Sequence, residues 1–272
     1  MLVSMRTPAC LLLICALLSP NAHAAAYGAP ANTPAKPAVS SQPAVAIPSA
    51  VVASPPSTPT NAAPIVTSDK PVPVTAPVDL FNGKDLSGWS YFTNGQPADV
   101  STVCQVKDGV LVVVGKPVGY LRTDHVRENY QLHFEWRWTN TNANTNSGAL
   151  LNISPGPLQQ PGSWPVSFQY QTKNTHAGDI ISMSAAACAE APAGKTASRQ
   201  KDSSEKPMGE WNIGDIIVRG DSIECIVNGI TQNKVTKCVP SSGYIGFQLE
   251  GYSYEMRNIK LTPLEPEMSV AK

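Results

Sequence analysis

Charge is scarce in this sequence. Lys plus Arg and Asp plus Glu number 20 each, so the formal net charge is zero, and charged residues make up only 15% of the chain. No basic cluster breaks the balance. A nucleic-acid partner is therefore not expected, because a phosphate backbone calls for a patch of Lys and Arg. The catalytic signatures of several large classes are missing too. No G-x-S-x-G, H-E-x-x-H or phosphate-cradling loop occurs, which leaves a serine hydrolase, a zinc protease or a nucleotide enzyme without support. No C-x-x-C pair exists, so neither a zinc ribbon nor a dithiol redox motif is expected. The asparagine-rich "NTNANTNSG", residues 140–148, places polar groups at alternate positions as a calcium loop does. It has no carboxylate and no closing bidentate Glu, and it reads as a turn-rich loop. Neither a metal nor a cofactor is expected.

Long apolar runs are also lacking. The N-terminal "MLVSMRTPACLLLICALLSPNAHA" has a positive Arg6, an apolar stretch from Cys10 to Leu18 and a small-x-small site at Ala22-His23-Ala24. This is the pattern of a cleaved secretory signal, residues 1–24, and the apolar stretch is too short to span a bilayer. No stable membrane span is expected after cleavage, and the protein is expected to be periplasmic or extracellular. Residues 26–78 contain 12 of the 25 prolines and no aromatic after Tyr27. Such a segment has little to bury and cannot offset its ordering entropy. Residues 25–78 read as a disordered Pro/Ala-rich linker, able to attach the domain to the cell envelope. Residues 79–264 form one domain, large enough for a sizeable core, and 265–272 form a tail.

Four cysteines follow the signal: Cys104, Cys188, Cys225 and Cys238. In an exported chain an even count predicts at least one disulfide. The pair Cys225–Cys238 is disfavoured, because an Asn228-Gly229 turn sets Cys225 opposite Gln232 unless a bulge intervenes.

What is abundant is alternation. Short runs bounded by turn residues recur through the domain, and they predict an all-β sandwich of about ten strands. The polar, small-residue segment 185–205 interrupts them and reads as a functional lid or a disordered loop. In "NYQLHFEWRWT", Tyr130, Leu132, Phe134, Trp136 and Trp138 share one face, opposite Gln131, His133, Glu135 and Arg137. In "PVSFQYQT", Val166, Phe168 and Tyr170 oppose Ser167, Gln169 and Gln171. In "YIGFQLEG", Ile245, Phe247 and Leu249 oppose Gln248 and Glu250. The polar faces carry Glu, Gln, His and Arg and almost no Lys. Such side chains form directional hydrogen bonds. If the strands are neighbours, their faces merge into a groove for a hydroxyl-rich ligand.

The same stretches carry a family likeness. "DLFNGKDLSGW", "FEWRW" followed by "NSGALL", then "SFQYQ", "AGDI", "EKPMGEWN", "VNGITQNKV", "GYIGFQLEG" and "MRNIKLTPL" run in order through the domain. In this the chain resembles the 3-keto-disaccharide hydrolase domain family of exported bacterial proteins. The resemblance implies a concanavalin-like jelly roll and action on oxidised sugars. It also exposes departures. Gln169 stands where the family usually has Glu, Ile181 where it often has an aromatic, and Gln248-Leu249-Glu250-Gly251 replaces the usual Q-S-E-G.

Elimination from a 3-keto glycoside needs a base for the C2 proton, a donor to the enolate oxygen and an acid for the leaving group. Glu135 and Glu250 are the candidate carboxylates, and His176 in "NTHAGDI" is a further proton carrier. Either Glu135 or His176 is the expected base, with Glu250 the acid or a sugar ligand. Arg137, Asn146, Gln169, Gln171 and Gln248 are expected to contact the oxidised glycoside. Trp211 would either stack on its ring or pack in the core. The alternative is a non-catalytic carbohydrate-binding module of the same fold.

Overall fold

A computed structural model describes residues 70–142, 144–156, 158 and 164–264. The expected signal segment, most of the linker and the C-terminal tail lie outside the described residues. The strands, in chain order, are β1 (Val78–Asp79), β2 (Trp89–Thr93), β3 (Gln96–Ala98), β4 (Cys104–Lys107), β5 (Val110–Val113), β6 (Gly119–Thr123), β7 (Tyr130–Trp138) and β8 (Gly148–Ile153). They continue with β9 (Ser167–Gln171), β10 (Ile180–Met183), β11 (Thr196–Ala197), β12 (Asn212–Arg219), β13 (Ser222–Val227), β14 (Ile230–Val235), β15 (Tyr244–Leu249) and β16 (Tyr254–Pro263). One 3-10 turn, Val100–Thr102, is the sole helical element among the described residues.

The strands make two antiparallel sheets. The first runs β14-β13-β12-β7-β16-β5-β4, with β1 on β16; the second runs β11-β10-β9-β8-β15-β6-β2-β3. Their apolar faces meet. Phe134 of β7 packs its ring 5.6 Å from Tyr170 of β9 and 5.2 Å from Phe247 of β15, both edge-on. Leu132, Phe134, Trp136, Phe168, Tyr170, Ile245, Phe247 and Leu249 are all buried in this core. The period-2 alternation therefore works as the sequence requires, with one side of each strand in the core and the other facing away.

Turn chemistry fixes the hairpins. Asp108-Gly109 and Asn228-Gly229 both have positive φ at the two central positions, as a type I′ turn demands. The second hairpin carries a bulge. Cys225 pairs with Asn233 and Ile226 with Thr231, so Gln232 is the extra residue and does not face Cys225. All four cysteines are buried free thiols, so the expected disulfide is not present.

Two boundaries differ from expectation. Residues 70–78, placed in the linker by composition, already pack: Val72 N–H donates to Val126 O, Arg127 Nη1 donates to Val72 O, and Val74 is buried in the core. The segment 185–205 is neither lid nor disordered coil. It sends Ala186, Cys188, Ala191 and Ala197 into the core and adds β11 to the sheet edge. Its small side chains suit close packing, which composition alone presented as looseness.

Candidate functional site

The outward face of the second sheet is built by alternation. On β15 the inward Ile245, Phe247 and Leu249 leave Gly246 and Gln248 outward, and on β9 the inward Phe168 and Tyr170 leave Gln169 and Gln171 outward. Register assembles the rows. Phe92 pairs with Tyr120, Tyr120 with Gln248, and Gly148 with Gln171. The next row reads Ser90, Arg122, Gly246, Leu150, Gln169 and Ile181. Glycine is required at Gly246: a Cβ there would stand 2.3 Å from Leu121 O.

Amides dominate the centre of this face. Gln169 Nε2 donates to Gln171 Oε1 at 2.6 Å and also reaches Ser147 O. The backbone beneath is pinned, since Ser147 Oγ and Tyr254 Oη both donate to Gln248 O, at 2.8 and 2.7 Å. The Gln248 side chain is different. It is 1% exposed, and neither its Oε1 nor its Nε2 has a partner. Nearby, Asn146 Oδ1 and Thr145 Oγ1 are buried and unpartnered as well. Leaving such groups unpaired is costly, roughly 1–3 kcal/mol for each. These groups are disposed to exchange hydrogen bonds with a ligand bearing several hydroxyls.

Glu250 closes this end of the face. Asn146 Nδ2 donates to its Oε2 at 2.5 Å. Burial pushes the Glu250 carboxyl above the usual carboxylate range, and the positive charge of Lys173 opposes that rise only in part. Lys173 belongs to the turn after β9, which also carries His176. That turn is tied to the Asn-rich loop by Asn174 N–H to Thr145 O, and Thr172 N–H donates to Ser147 O at the base of β8. His176 is exposed. Its Nδ1 lies 3.3 Å from Asp179 Oδ2, and Glu205 accepts from the backbone N–H groups of Thr175 and Ala177 on either side.

The first sheet's outward face holds the other expected site residues. Glu135 is paired there with Arg257, whose Nε and Nη2 donate at 2.8 and 2.7 Å, and Asn258 Nδ2 donates at 2.6 Å. Burial works against the charged form of Glu135, but the bonds from Asn258 and Arg257 outweigh it and hold the carboxyl below its ordinary value. Arg137 Nε donates to Glu255 at 2.6 Å. Trp211 is covered by both guanidinium groups, with Arg137 at 4.7 Å and Arg257 at 4.1 Å from its ring centroid.

The expected residues thus separate. Asn146, Gln169, Gln171, Gln248 and Glu250 come together on one sheet, with His176 on an adjoining turn. Glu135, Arg137 and Trp211 lie across the core on the other sheet, so Glu135 and Glu250 do not form an acid pair. Phe134 and Phe247, which alternate with Glu135 and Gln248, touch in the core, so the two polar faces look away from each other. Sequence reading passed over Phe92, Tyr120, Arg122 and Lys173. Tyr120 and Arg122 flank Leu121 in "YLRT" with the same alternation that marked the other strands.

Residues 76–262 match the description of the 3-keto-alpha-glucoside-1,2-lyase-like domain. The chain belongs to this family. Among solved structures, the lyase-like domain resembles a Parabacteroides distasonis ATCC 8503 protein provisionally named a glycosyl hydrolase. The TM-score is 0.52 at 23% identity, covering 70% of this chain and 94% of that one. A second such protein of the same organism gives 0.49 at 23%, covering 69% and 99%. A Bacillus licheniformis β-glucanase gives 0.47 at 12%, covering 68% and 97%. The likeness to the first of these is one of fold, and the two antiparallel sheets of the lyase-like domain form a jelly-roll sandwich. No curated protein matches the chain. No described helix is long and apolar enough to cross a membrane.

Proposed function

We propose that this lyase-like domain cleaves glycosides whose sugar carries a ketone at C3, on the outward face of the second sheet. One observation carries the reading: the buried side chain of Gln248, unpartnered at both polar atoms, lies two residues from a carboxyl whose proton affinity burial has raised. The ketone acidifies the neighbouring C2–H. A base takes that proton, and the C2–H electron pair forms an enolate with C3. The pair then returns to form C1=C2 as the C1–O bond breaks, and the glycosidic oxygen leaves with its electrons and takes a proton. Water added across C1=C2 completes a net hydrolysis. A carboxyl whose proton affinity burial has raised is better suited than an ordinary one to protonating the leaving oxygen, and Glu250 takes that role. His176, on the turn tied to the same loop, is the base. Gln169, Gln171, Gln248 and Asn146 hold the hydroxyls. The leader of the chain favours work outside the cytoplasm, with the Pro-rich segment as a tether to the envelope.

Incubating the purified chain with aryl 3-keto-glucosides and following aglycone release tests this. Release by the parent and its loss in Glu250→Gln are expected; no release from any keto-glycoside overturns the proposal. One observation favours a second reading. Gln169 is an amide where the family usually has an acid, and it is bonded to Gln171 rather than free for proton transfer. A domain that binds keto-glycosides without turnover would be a carbohydrate-binding module of the same fold.

A further inference from the structure

Arg122 occupies a place that sugar hydroxyls alone do not explain. It projects from β6 onto the outward face of the second sheet, opposite Gly246. Its guanidinium is clamped between two aromatic rings, with Cζ 4.4 Å from the Phe92 centroid and 4.2 Å from that of Tyr244. The residue is only 9% exposed. Phe92, Tyr120, Val126, Leu150, Ile153 and Tyr244 form a separate apolar cluster around it.

A buried cation normally has a carboxylate beside it. Among the described residues Arg122 has none. Asp124, two residues on, accepts from Ser90 Oγ at 3.5 Å. The Arg122 Nε–H is sealed from solvent without an acceptor, and the hydroxyl of Tyr244 is likewise buried and unpartnered. The rings satisfy the faces of the guanidinium through its charge, yet they offer nothing to its edge. Five N–H donors lie in that plane in a fixed fork. The acceptor that fits a planar fork is a planar anion bound in two places, a carboxylate.

Position adds the rest. Gly246 and Gln248 stand two residues apart on β15, roughly 7 Å along the strand, which is about the reach of one pyranose ring. We propose that Arg122 anchors an anion subsite one sugar ring away from Gln248, and that the natural ligand is an acidic glycoside bearing a uronate carboxylate. The ring clamp pre-orients the guanidinium, so little order is lost when the acid docks. Gly246 lets the backbones of β15 and β6 run close together beside Arg122, since a Cβ there would stand 2.3 Å from Leu121 O and 2.8 Å from Ile153 Cδ1. This inference rests on the reading of Gln248 and Glu250 as the sugar site.

The test is calorimetric titration of the purified full chain with phenyl glucuronide, its uncharged amide, phenyl glucoside and a phenyl 3-keto-glucoside. The acid is expected to bind about tenfold or more tightly than its amide, the gain of a charge-assisted contact. In Arg122→Gln that preference should vanish while binding of the keto-glucoside persists, and Arg122→Lys should restore part of it. Equal binding of acid and amide by the parent overturns the anion subsite, and it does so even if Arg122→Gln fails to fold. A folded Arg122→Gln that keeps the preference overturns it as well. If the acid is preferred but the keto-glucoside does not bind, the subsite stands and the reading of Glu250 falls. If none of the four binds, both fall.

Discussion

The two outward faces of the sandwich begin from the same sequence pattern and end in opposite physical states. On the first sheet each prominent polar side chain is answered: Glu135 by Arg257 and Asn258, Arg137 by Glu255, and His133 by Asp215 at 2.8 Å. Trp211 has two guanidinium groups packed against its ring. That face is complete without a ligand. On the second sheet the amide of Gln248, the Oδ1 of Asn146 and the Nε of Arg122 are buried with no partner. A protein tolerates such deficits where something else fills them. Alternation creates a polar face; the inventory of unmet hydrogen bonds shows which face has work to do.

The contrast is broken most sharply at Glu250. Glu250→Gln removes the acid and keeps the shape, so turnover of a 3-keto glycoside should fall by about 10²–10⁴-fold, the usual weight of a general acid or base. Thermal stability should not fall, because the change also removes a buried carboxyl. Glu135→Gln, on the complete face, should leave turnover within about twofold. Equal losses in the two variants, read by steady-state kinetics, would erase the distinction between the faces.

Phe247→Ala strikes the wall that both faces share. The ring is 2% exposed and touches Phe134 and Trp89. Lost burial plus the cavity should cost about 3–5 kcal/mol in denaturant unfolding. A loss below about 1 kcal/mol would mean that this end of the core is poorly packed.

Gln248→Met sharpens the comparison in the other direction. It replaces an unsatisfied buried amide by an apolar chain of similar length, and it should stabilise the protein by about 1–3 kcal/mol. Ligand affinity should drop roughly tenfold at the same time. Arg257→Met on the first sheet breaks a half-exposed pair and should cost only about 0.2–1 kcal/mol with affinity untouched. If Gln248→Met destabilises instead, the amide has a partner in solution and the deficit argument fails.

The fold was legible because each strand states its own two faces. "YIGFQLEG" places Phe247 in the core and Gln248 outside it, and the structure agrees. What a strand does not state is its sheet. "FEWRW" and "SFQYQ" carry the same signature, yet β7 and β9 face each other across the core, so their polar sides point apart. Pairing between distant strands is a tertiary fact, and a period of two residues is blind to it. The hairpin bulge at Gln232 was hidden for a similar reason: one extra residue leaves composition unchanged and moves Asn233 opposite Cys225. Residues 70–78 were misread because proline count measures the shortage of donors. It does not show that Val72 and Val74 have partners at Val126 and in the core.

The smallest expected effect is also a difference of sign between the faces. Both glutamates start from an ordinary carboxyl value of 4.5 and move apart on folding. Burial raises Glu250, so the folded state holds that proton more tightly than the unfolded chain does. Its contribution to stability is fully present below the unfolded value and is lost as pH rises through the folded value. Glu135 moves the other way. Its bonds to Asn258 and Arg257 favour the anion, so its contribution is present above the unfolded value and is lost as pH falls through the folded one. Unfolding free energies of the parent, Glu250→Gln and Glu135→Gln, measured from acid to neutral pH, separate the two. Parent minus Glu250→Gln should decline as pH rises above about 4.5, and parent minus Glu135→Gln should decline as pH falls below it. Curves of the same slope would place both carboxyls in equivalent surroundings, and the case for Glu250 as a proton donor would lose its physical basis.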